Sequence, residues 1–523
     1  MAHAYYQYLP VEGAELFTVV LLPAREGRFP VVLMRSPYVD HHEEKTEEEL
    51  CAIFASGNKW LEQGYAVIHQ DCRGRGKSSG DCVPYIYERE DGLALQAWVR
   101  EQSFYNGELY LVGGSYTSSV HFVTAPFAPD IKGAILEVQD CERYNCNYRN
   151  GFYKVGLHGG WYVNMYKRKT LHGKKHYGSH AYHMLPLADF SKTVFDESAP
   201  DFDETLRHPK RDDPFWRTRY GGGEAHNAIR HANIPILLIT GFYDIYTGGV
   251  FDMWSGLDDA TRAKSALLVH PFAHSGKSAD QPIAFPNGEI REAFGDDYKR
   301  AWLNAVRGKG AFPAQKGKVT YYALFENRWC TNDFKTPAQT LTFSLGEGEW
   351  SYRYNPWDPP TFPGGLSANF GGAAWQKSAN WRHDVRSIYT PAFEKDITVR
   401  GKMRAQLRVR STAEDTCFYV RVSIQKEQGD FGLRDDIQQI SNFVVDYRPG
   451  DIVDLEFSFD EHAFLVQAGE RLRVDIASAS ADHYVRHTNR KGLFSEQTGM
   501  QIADNTVVLD ESWISFPVEN AEA

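Results

Sequence analysis

The sequence predicts a two-part molecule: a doubly wound α/β sheet with a helical cap insertion, followed by an all-β sandwich or jelly roll. Three observations carry that expectation. Short β-branched apolar runs alternate with helical spacers in the first third of the chain, the pattern of parallel strands joined by crossovers. Residues 141–231 break this rhythm with a segment rich in His, Tyr, Lys and Arg. From about residue 335, apolar and polar residues alternate with period two, which marks half-buried strands.

The elements follow in order. "FPVVLMR" (29–35), "GYAVIHQD" (64–71), "ELYLVG" (108–113) and "IKGAILEV" (131–138) read as strands. Between the second and third, "EREDGLALQAWVREQ" (88–102) places Leu93, Leu95, Trp98 and Val99 at helical spacing. "IPILLITG" (234–241) and "SALLVH" (265–270) resume the strand pattern. The segment 141–231 is poor in strand signal and ends near the flexible "YGGGEAH" (220–226), so it reads as a mostly helical insertion capping the site. The C-terminal strands are "QTLTFSL", "KMRAQLRVRS", "CFYVRVSIQ", "ISNFVVDYRPGD", "DLEFSFD" and "RLRVDIASAS". "NPWDPPTFPGG" (355–365) reads as a loop. The expected domains are 1–140 with 232–334 for the α/β sheet, 141–231 for the cap and 335–523 for the all-β part.

Composition narrows the function. At 523 residues the chain exceeds one ordinary core. Its net charge of −11 leaves no basic excess to displace counterions from a nucleic acid or to hold an anionic membrane surface. No apolar stretch reaches membrane-spanning length, and "MAHAYYQYLPVEGAELF" lacks the basic and apolar regions of a secretory leader. The seven cysteines are scattered and form no C-x-x-C, which argues against a disulfide scaffold or a zinc site. A cytoplasmic location is the expectation from these signals.

The chemistry is expected in "ELYLVGGSYTSSVHF" (108–122). Ser115 follows a strand and precedes a potential helix, the context of a nucleophile elbow. Gly113 and Gly114 suit a sharp turn. The pattern G-x-S-x-G would place Gly at 117, where this chain has Thr117, so an inert loop serine stays open on the pentapeptide alone. A serine needs a base, and the base an orienting carboxylate. On such sheets they follow later in the chain, acid before histidine. "IPILLITGFYDIY" supplies Asp244 past one strand, and "SALLVHPFAHSG" supplies His274 past the next. His270 competes, but reads better as a strand-end histidine packed on the sheet.

With these positions in hand the chain is similar to a known family. "RSPY" (35–38), "GYAVIHQDCRGRGKSSG" (64–80), "NGELYLVGGSY" (106–116), "GFYDIY" (241–246) and "HPFAHS" (270–275) resemble the cocaine-esterase and X-Pro dipeptidyl-peptidase (CocE/NonD) family of α/β-hydrolase serine hydrolases. "NPWDPP", "AGERLRVDIASAS" and "SWISFPV" resemble its jelly-roll domain. The resemblance implies Ser115 as nucleophile, Asp244 as acid and His274 as base. It implies that the Tyr38 hydroxyl and the Tyr116 amide hold the oxyanion, where two fixed donors meet developing charge. It places Tyr246 toward the substrate, and implies no metal or organic cofactor.

Two groups outside this set need a reading. In "DCRGRGKSSG" no phosphate-binding glycine pattern is present, so Asp71 and Arg73 are read as holding the loop and Cys72 as a bystander. His158, His172, His176, His180 and His183 lack the partners of a metal site, and a polar cap surface is the expectation. Tyr144, Phe152, Tyr153, Trp161 and Tyr162 read mainly as cap core, with Tyr153 and Trp161 as candidate pocket residues beside Tyr246.

The function expected is hydrolysis of an ester or amide through an acyl-enzyme. Xaa-Pro dipeptidyl-peptidase and acylase activity are the alternatives on the same triad. Asp244 is followed by Ile245, Tyr246 and Thr247, so the acids that bind a substrate ammonium in the family's α-amino ester hydrolases are missing there. A non-catalytic binding protein on the same fold is the reading from another class, favoured only by Thr117. The expected partner is a small ester, amide or short peptide, and the family includes homodimers.

Overall fold

Ten strands form the central sheet. The computed structural model of the protein describes residues 3–166, 183–218, 223–277, 282–365 and 372–519, with the side chains of 224 and 225 outside that description. The strands are β1 (His3–Val11), β2 (Ala14–Leu22), β3 (Phe29–Ser36), β4 (Ala66–Asp71), β5 (Tyr105–Gly114) and β6 (Ile131–Glu137). A two-residue hairpin, β7 (Tyr148–Arg149) and β8 (Phe152–Tyr153), lies in the insertion. The sheet resumes with β9 (Ile236–Gly241), β10 (Ala266–His270), β11 (Val319–Ala323) and β12 (Arg328–Asn332).

The spatial order is β1-β2-β4-β3-β5-β6-β9-β10-β11-β12. Pairing is parallel from β4 through β11 and antiparallel at both flanks. The parallel strands are buried on both faces, which explains their near-continuous Val, Ile and Leu. The helix Glu88–Arg100 crosses from β4 to β5 and buries Leu95 and Val99 against the sheet. This is the α/β-hydrolase arrangement, and it gathers the carboxyl ends of β3, β5, β6, β9 and β10 along one edge, where such sheets place their sites.

The sequence reading left the flanking hairpins unassigned. β1 carries Tyr5, Tyr6, Gln7 and Tyr8 in alternation: one face packs on Phe17 and the helix Glu47–Ala55, and the other brings Tyr5, Leu9 and Val11 to the main core.

In its described part the insertion is more broken than a helical cap. It holds short helices at Arg143–Asn147, Gly160–Met165, Phe190–Phe195 and Pro200–Thr205, the β7–β8 hairpin, and a wide π turn at Val155–Gly159. An aromatic core holds the pieces together: Tyr144, Tyr148, Tyr153, Tyr162, Tyr166, Phe190 and Phe202. Side-chain packing, with little periodic helix, fixes this region.

The C-terminal part is all-β. One sheet contains β13 (Thr340–Ser344), β14 (Glu349–Tyr354), β17 (Arg404–Ser411), β20 (Val453–Ser458) and β23 (Ala503–Pro517). The other contains β15 (Arg386–Tyr389), β18 (Cys417–Lys426), β19 (Gly429–Gln439) and β22 (Leu472–Ala477), and β16 (Ile397–Gly401) pairs with β21 (His462–Val466). Leu407, Val409 and Leu455 of one sheet share an apolar core with Val420, Val422 and Val474 of the other. "ISNFVVDYRPGD" is not a strand as expected: it is a 3-10 turn, Ile440–Asn442, followed by irregular chain. Val445 there is 74 % exposed, while Ile440 and Tyr447 are buried in the core.

The seams between parts are specific. Arg149 of the insertion donates to Asp436 Oδ1 at 2.8 Å and Asp460 Oδ1 at 2.6 Å in the all-β part. Phe242 stacks on His462 with ring centroids 5.0 Å apart, and the Tyr243 hydroxyl donates to the Gly432 carbonyl at 3.1 Å. Both aromatics immediately precede Asp244, so the all-β part braces the loop that carries it. No helix among the described residues is long and apolar enough to cross a membrane.

Candidate active site

β5 ends at Gly114, and Ser115 follows with φ 55° and ψ −133° before the helix Tyr116–Phe122. A non-glycine residue there costs about 1–3 kcal/mol of backbone strain. The Ser115 amide donates to the Glu137 carbonyl at the end of β6 (2.9 Å), and the Ser115 carbonyl accepts from the Ser118 amide (2.8 Å). Gly113 meets the tightest constraint, since a Cβ on it would lie 2.0 Å from the Thr117 carbonyl oxygen.

Thr117 has a role in this turn. Its Oγ1 accepts from the Gly114 amide at 2.6 Å and donates to the Gly114 carbonyl at 2.7 Å. The threonine closes the elbow through its own hydroxyl. Ser118 and Ser119 are fully buried, and Ser118 Oγ donates to the Gly113 carbonyl at 2.7 Å; neither faces the cavity that Ser115 lines.

Asp244 lies three residues past β9 and is fully buried. Its Oδ1 accepts from the Tyr246 amide at 2.7 Å, which turns Oδ2 toward His274 Nδ1 at 2.6 Å. Burial lowers the His274 pKa, but the Asp244 charge and hydrogen bond outweigh it, and the net shift is upward. His270 is different. It is 3 % exposed, accepts from the Phe272 amide at 3.2 Å, and is pushed down to about 4 by burial. It packs at the end of β10.

Tyr38 follows β3 and is 40 % exposed. Its hydroxyl accepts from Trp161 Nε1 at 3.1 Å and stands near the Ser115 side chain and the Tyr116 amide. The Tyr116 side chain points elsewhere: its hydroxyl donates to Glu88 Oε1 at 2.8 Å and accepts from the Tyr85 amide at 2.8 Å. The loop carrying Tyr38 is clamped. Arg75 donates to the Pro37 carbonyl at 2.7 Å and pairs with Asp40, while His42 Nδ1 lies 2.9 Å from Asp71 Oδ1. Asp71 also accepts from the Lys77 amide at 2.9 Å, and Arg73 is paired with Asp91. "DCRGRGKSSG" is thus a brace, with Arg75 as the residue sequence reasoning missed.

Ser115, His274, Tyr38 and Tyr116 line one cavity of about 410 Å³. Trp161 and Tyr246 line it too; Tyr153 does not. Tyr153 is 1 % exposed in the aromatic core of the insertion, because β8 turns it inward. Tyr85, Val138, Leu157, His158 and Ile245 complete the lining and were not anticipated. Tyr85 and Val138 have φ of 71° and 45°, strain that clusters at functional sites, and no residue pattern announces it. His158 is 4 % exposed and stacks on Trp161, so it is no surface histidine. His172, His176 and His180 lie outside the described residues.

Comparison with known proteins gives five findings. Residues 12–276 match the family model described as X-Pro dipeptidyl-peptidase (S15 family), and residues 292–512 match the X-Pro dipeptidyl-peptidase C-terminal non-catalytic domain. The chain is 23 % identical to the cocaine esterase of Rhodococcus sp. (strain MB1 Bresler), over 93 % of this chain and 92 % of that one. An aminopeptidase from a marine sediment Thaumarchaeota archaeon superposes with TM-score 0.82 at 16 % identity, covering 99 % of this chain and 96 % of the other. An α-amino acid ester hydrolase superposes with TM-score 0.78 at 17 % identity, covering 99 % and 97 %.

Proposed function

The chain belongs to the X-Pro dipeptidyl-peptidase (S15) family of serine hydrolases, and from that premise we propose that it cleaves an ester or amide through an acyl-enzyme on Ser115. The observation that carries this is convergence: Ser115, His274, Tyr38 and Tyr116 border one cavity, and His274 is bonded at 2.6 Å to a fully buried Asp244.

In this reading Ser115 Oγ attacks the carbonyl and passes its proton to His274 Nε2. Asp244 holds the imidazole with Nδ1–H toward itself, so Nε2 is the free base. The oxyanion settles between the Tyr38 hydroxyl and the Tyr116 amide, two donors fixed before the reaction. His274 returns the proton to the leaving group, and water repeats the sequence to release the acid. No Asp or Glu lines the cavity among the described residues. A free substrate amine would therefore find no counter-ion there, which favours esters and amides without an α-ammonium over Xaa-Pro peptides.

Intact-protein mass after fluorophosphonate treatment tests the assignment. One phosphonyl adduct on the wild type, absent in Ser115→Ala, is expected. An adduct that survives the substitution, or none on folded wild type, would sink it.

A further inference from the structure

Arg143 opens the short helix Arg143–Asn147 and is 7 % exposed. A guanidinium does not lose its charge in a protein, and a buried cation ordinarily needs an acid beside it. Arg143 Nη1 is buried without a hydrogen-bond partner. Burial acts on the guanidinium most strongly; the titratable groups that follow are Tyr85, Cys146, Tyr246 and Tyr116, with no carboxylate among them.

Three of those groups border the catalytic cavity. The guanidinium carbon stands 3.2 Å from the centroid of the Tyr85 ring. That ring also packs on Tyr116 at 4.6 Å and Trp161 at 5.7 Å. Tyr85, Tyr116, Trp161 and Tyr246 all line the cavity, so Arg143 sits one aromatic ring behind its wall. Tyr85 is pinned there in a left-handed conformation, its amide donating to the Tyr116 hydroxyl. A second buried cation, Lys154, stands near; burial first, then Arg143 and Lys154, hold His158 of the same cavity neutral.

The cation–π contact offsets part of the cost of this buried charge. The remainder is a positive potential facing a space with no acid in it, and at low dielectric that potential reaches across a ring. The geometry points to a substrate that carries a carboxylate on the part entering this cavity, seated toward Arg143. Half-esters or half-amides of dicarboxylic acids, and esters of carboxylate-bearing alcohols or phenols, have this chemistry. A neutral isostere leaves that potential unmet, and an ammonium is repelled. This inference rests on Ser115 as the nucleophile.

The test measures kcat/KM on the full chain for matched pairs. p-Nitrophenyl butyrate is set against mono-p-nitrophenyl succinate for the acyl side, and phenyl butyrate against 3-carboxyphenyl butyrate for the leaving side. p-Nitrophenyl 4-aminobutyrate supplies the cation. In one of the two pairs the carboxylate ester is expected to win by about tenfold or more, and the ammonium ester to lose by about as much. Arg143→Gln brings the winning ratio near one and Arg143→Lys retains part of it. Ratios within one preparation cancel differences in folded fraction.

Wild-type ratios near one in both pairs, with the neutral esters still hydrolysed, overturn the inference and leave Ser115 standing. A preference that persists in Arg143→Gln overturns it as well. If Arg143→Gln does not fold, the wild-type and Arg143→Lys ratios decide. Failure to hydrolyse any ester, with no phosphonyl adduct, defeats the Ser115 reading itself.

Discussion

Trp161 Nε1 donates a hydrogen bond to the Tyr38 hydroxyl across 3.1 Å. The two residues come from different parts of the molecule. Tyr38 follows β3 of the sheet, and Trp161 lies on the helix Gly160–Met165 of the insertion. A hydroxyl that accepts from the indole has its own proton left to give. The insertion therefore sets the orientation of the donor that would meet the oxyanion, as well as walling the cavity.

Trp161→Phe keeps an aromatic wall and removes the N–H. Losing an oxyanion donor outright costs about 10²–10³ in kcat. Loss of the group that orients one should cost less, about tenfold, with KM changed little. Steady-state kinetics with an uncharged p-nitrophenyl ester measures the split. A rise in KM at constant kcat would make Trp161 a binding wall only.

The parallel strands were legible because burial on both faces leaves little room for polar residues, as in β9. That Asp244 and His274 would meet was legible because strand ends fix where a loop side chain can stand. Tyr85 and Arg143 were not, since Tyr85 reaches the cavity, and Arg143 the Tyr85 ring, through packing between segments distant in sequence. Tyr153 was misplaced for the same reason: within β8 nothing distinguishes a ring that faces substrate from one that faces Phe202. The alternation in residues 440–451 misled because Asp446, Pro449 and Gly450 favour turns, and Ile440 and Tyr447 reach the core from turn and irregular chain while Val445 is exposed.

The elbow gives a second prediction. Thr117 Oγ1 makes two hydrogen bonds to Gly114, at 2.6 and 2.7 Å. Thr117→Val keeps the shape and removes both. A neutral hydrogen bond contributes about 0.5–1.5 kcal/mol net, and the Gly114 amide and carbonyl would lose their partner as well. Denaturant unfolding should show a loss of about 1–3 kcal/mol. The rate should fall too, because Gly114 and Ser115 are adjacent. Unchanged stability would mean the turn holds without the hydroxyl.

The pH dependence is the third. The His274 pKa is raised: burial lowers it, but the Asp244 charge and hydrogen bond raise it by more. If His274 is the base it works only when neutral, so kcat/KM should rise with pH through an inflection above the ordinary imidazole value of 6.5. Asp244→Asn removes both raising causes and leaves burial, so the inflection should fall below 6.5 while kcat drops by about 10⁴ as the favoured tautomer is lost. Linkage fixes the sign for stability. A group whose folded pKa lies above its unfolded value stabilises the fold fully below the unfolded pKa, and that contribution fades as pH rises through the folded one. The Tm advantage of wild type over His274→Gln should therefore be larger near pH 6 than near pH 8. A wild-type inflection at or below 6.5, or one that Asp244→Asn leaves in place, would show that Asp244 does not hold the charge on His274.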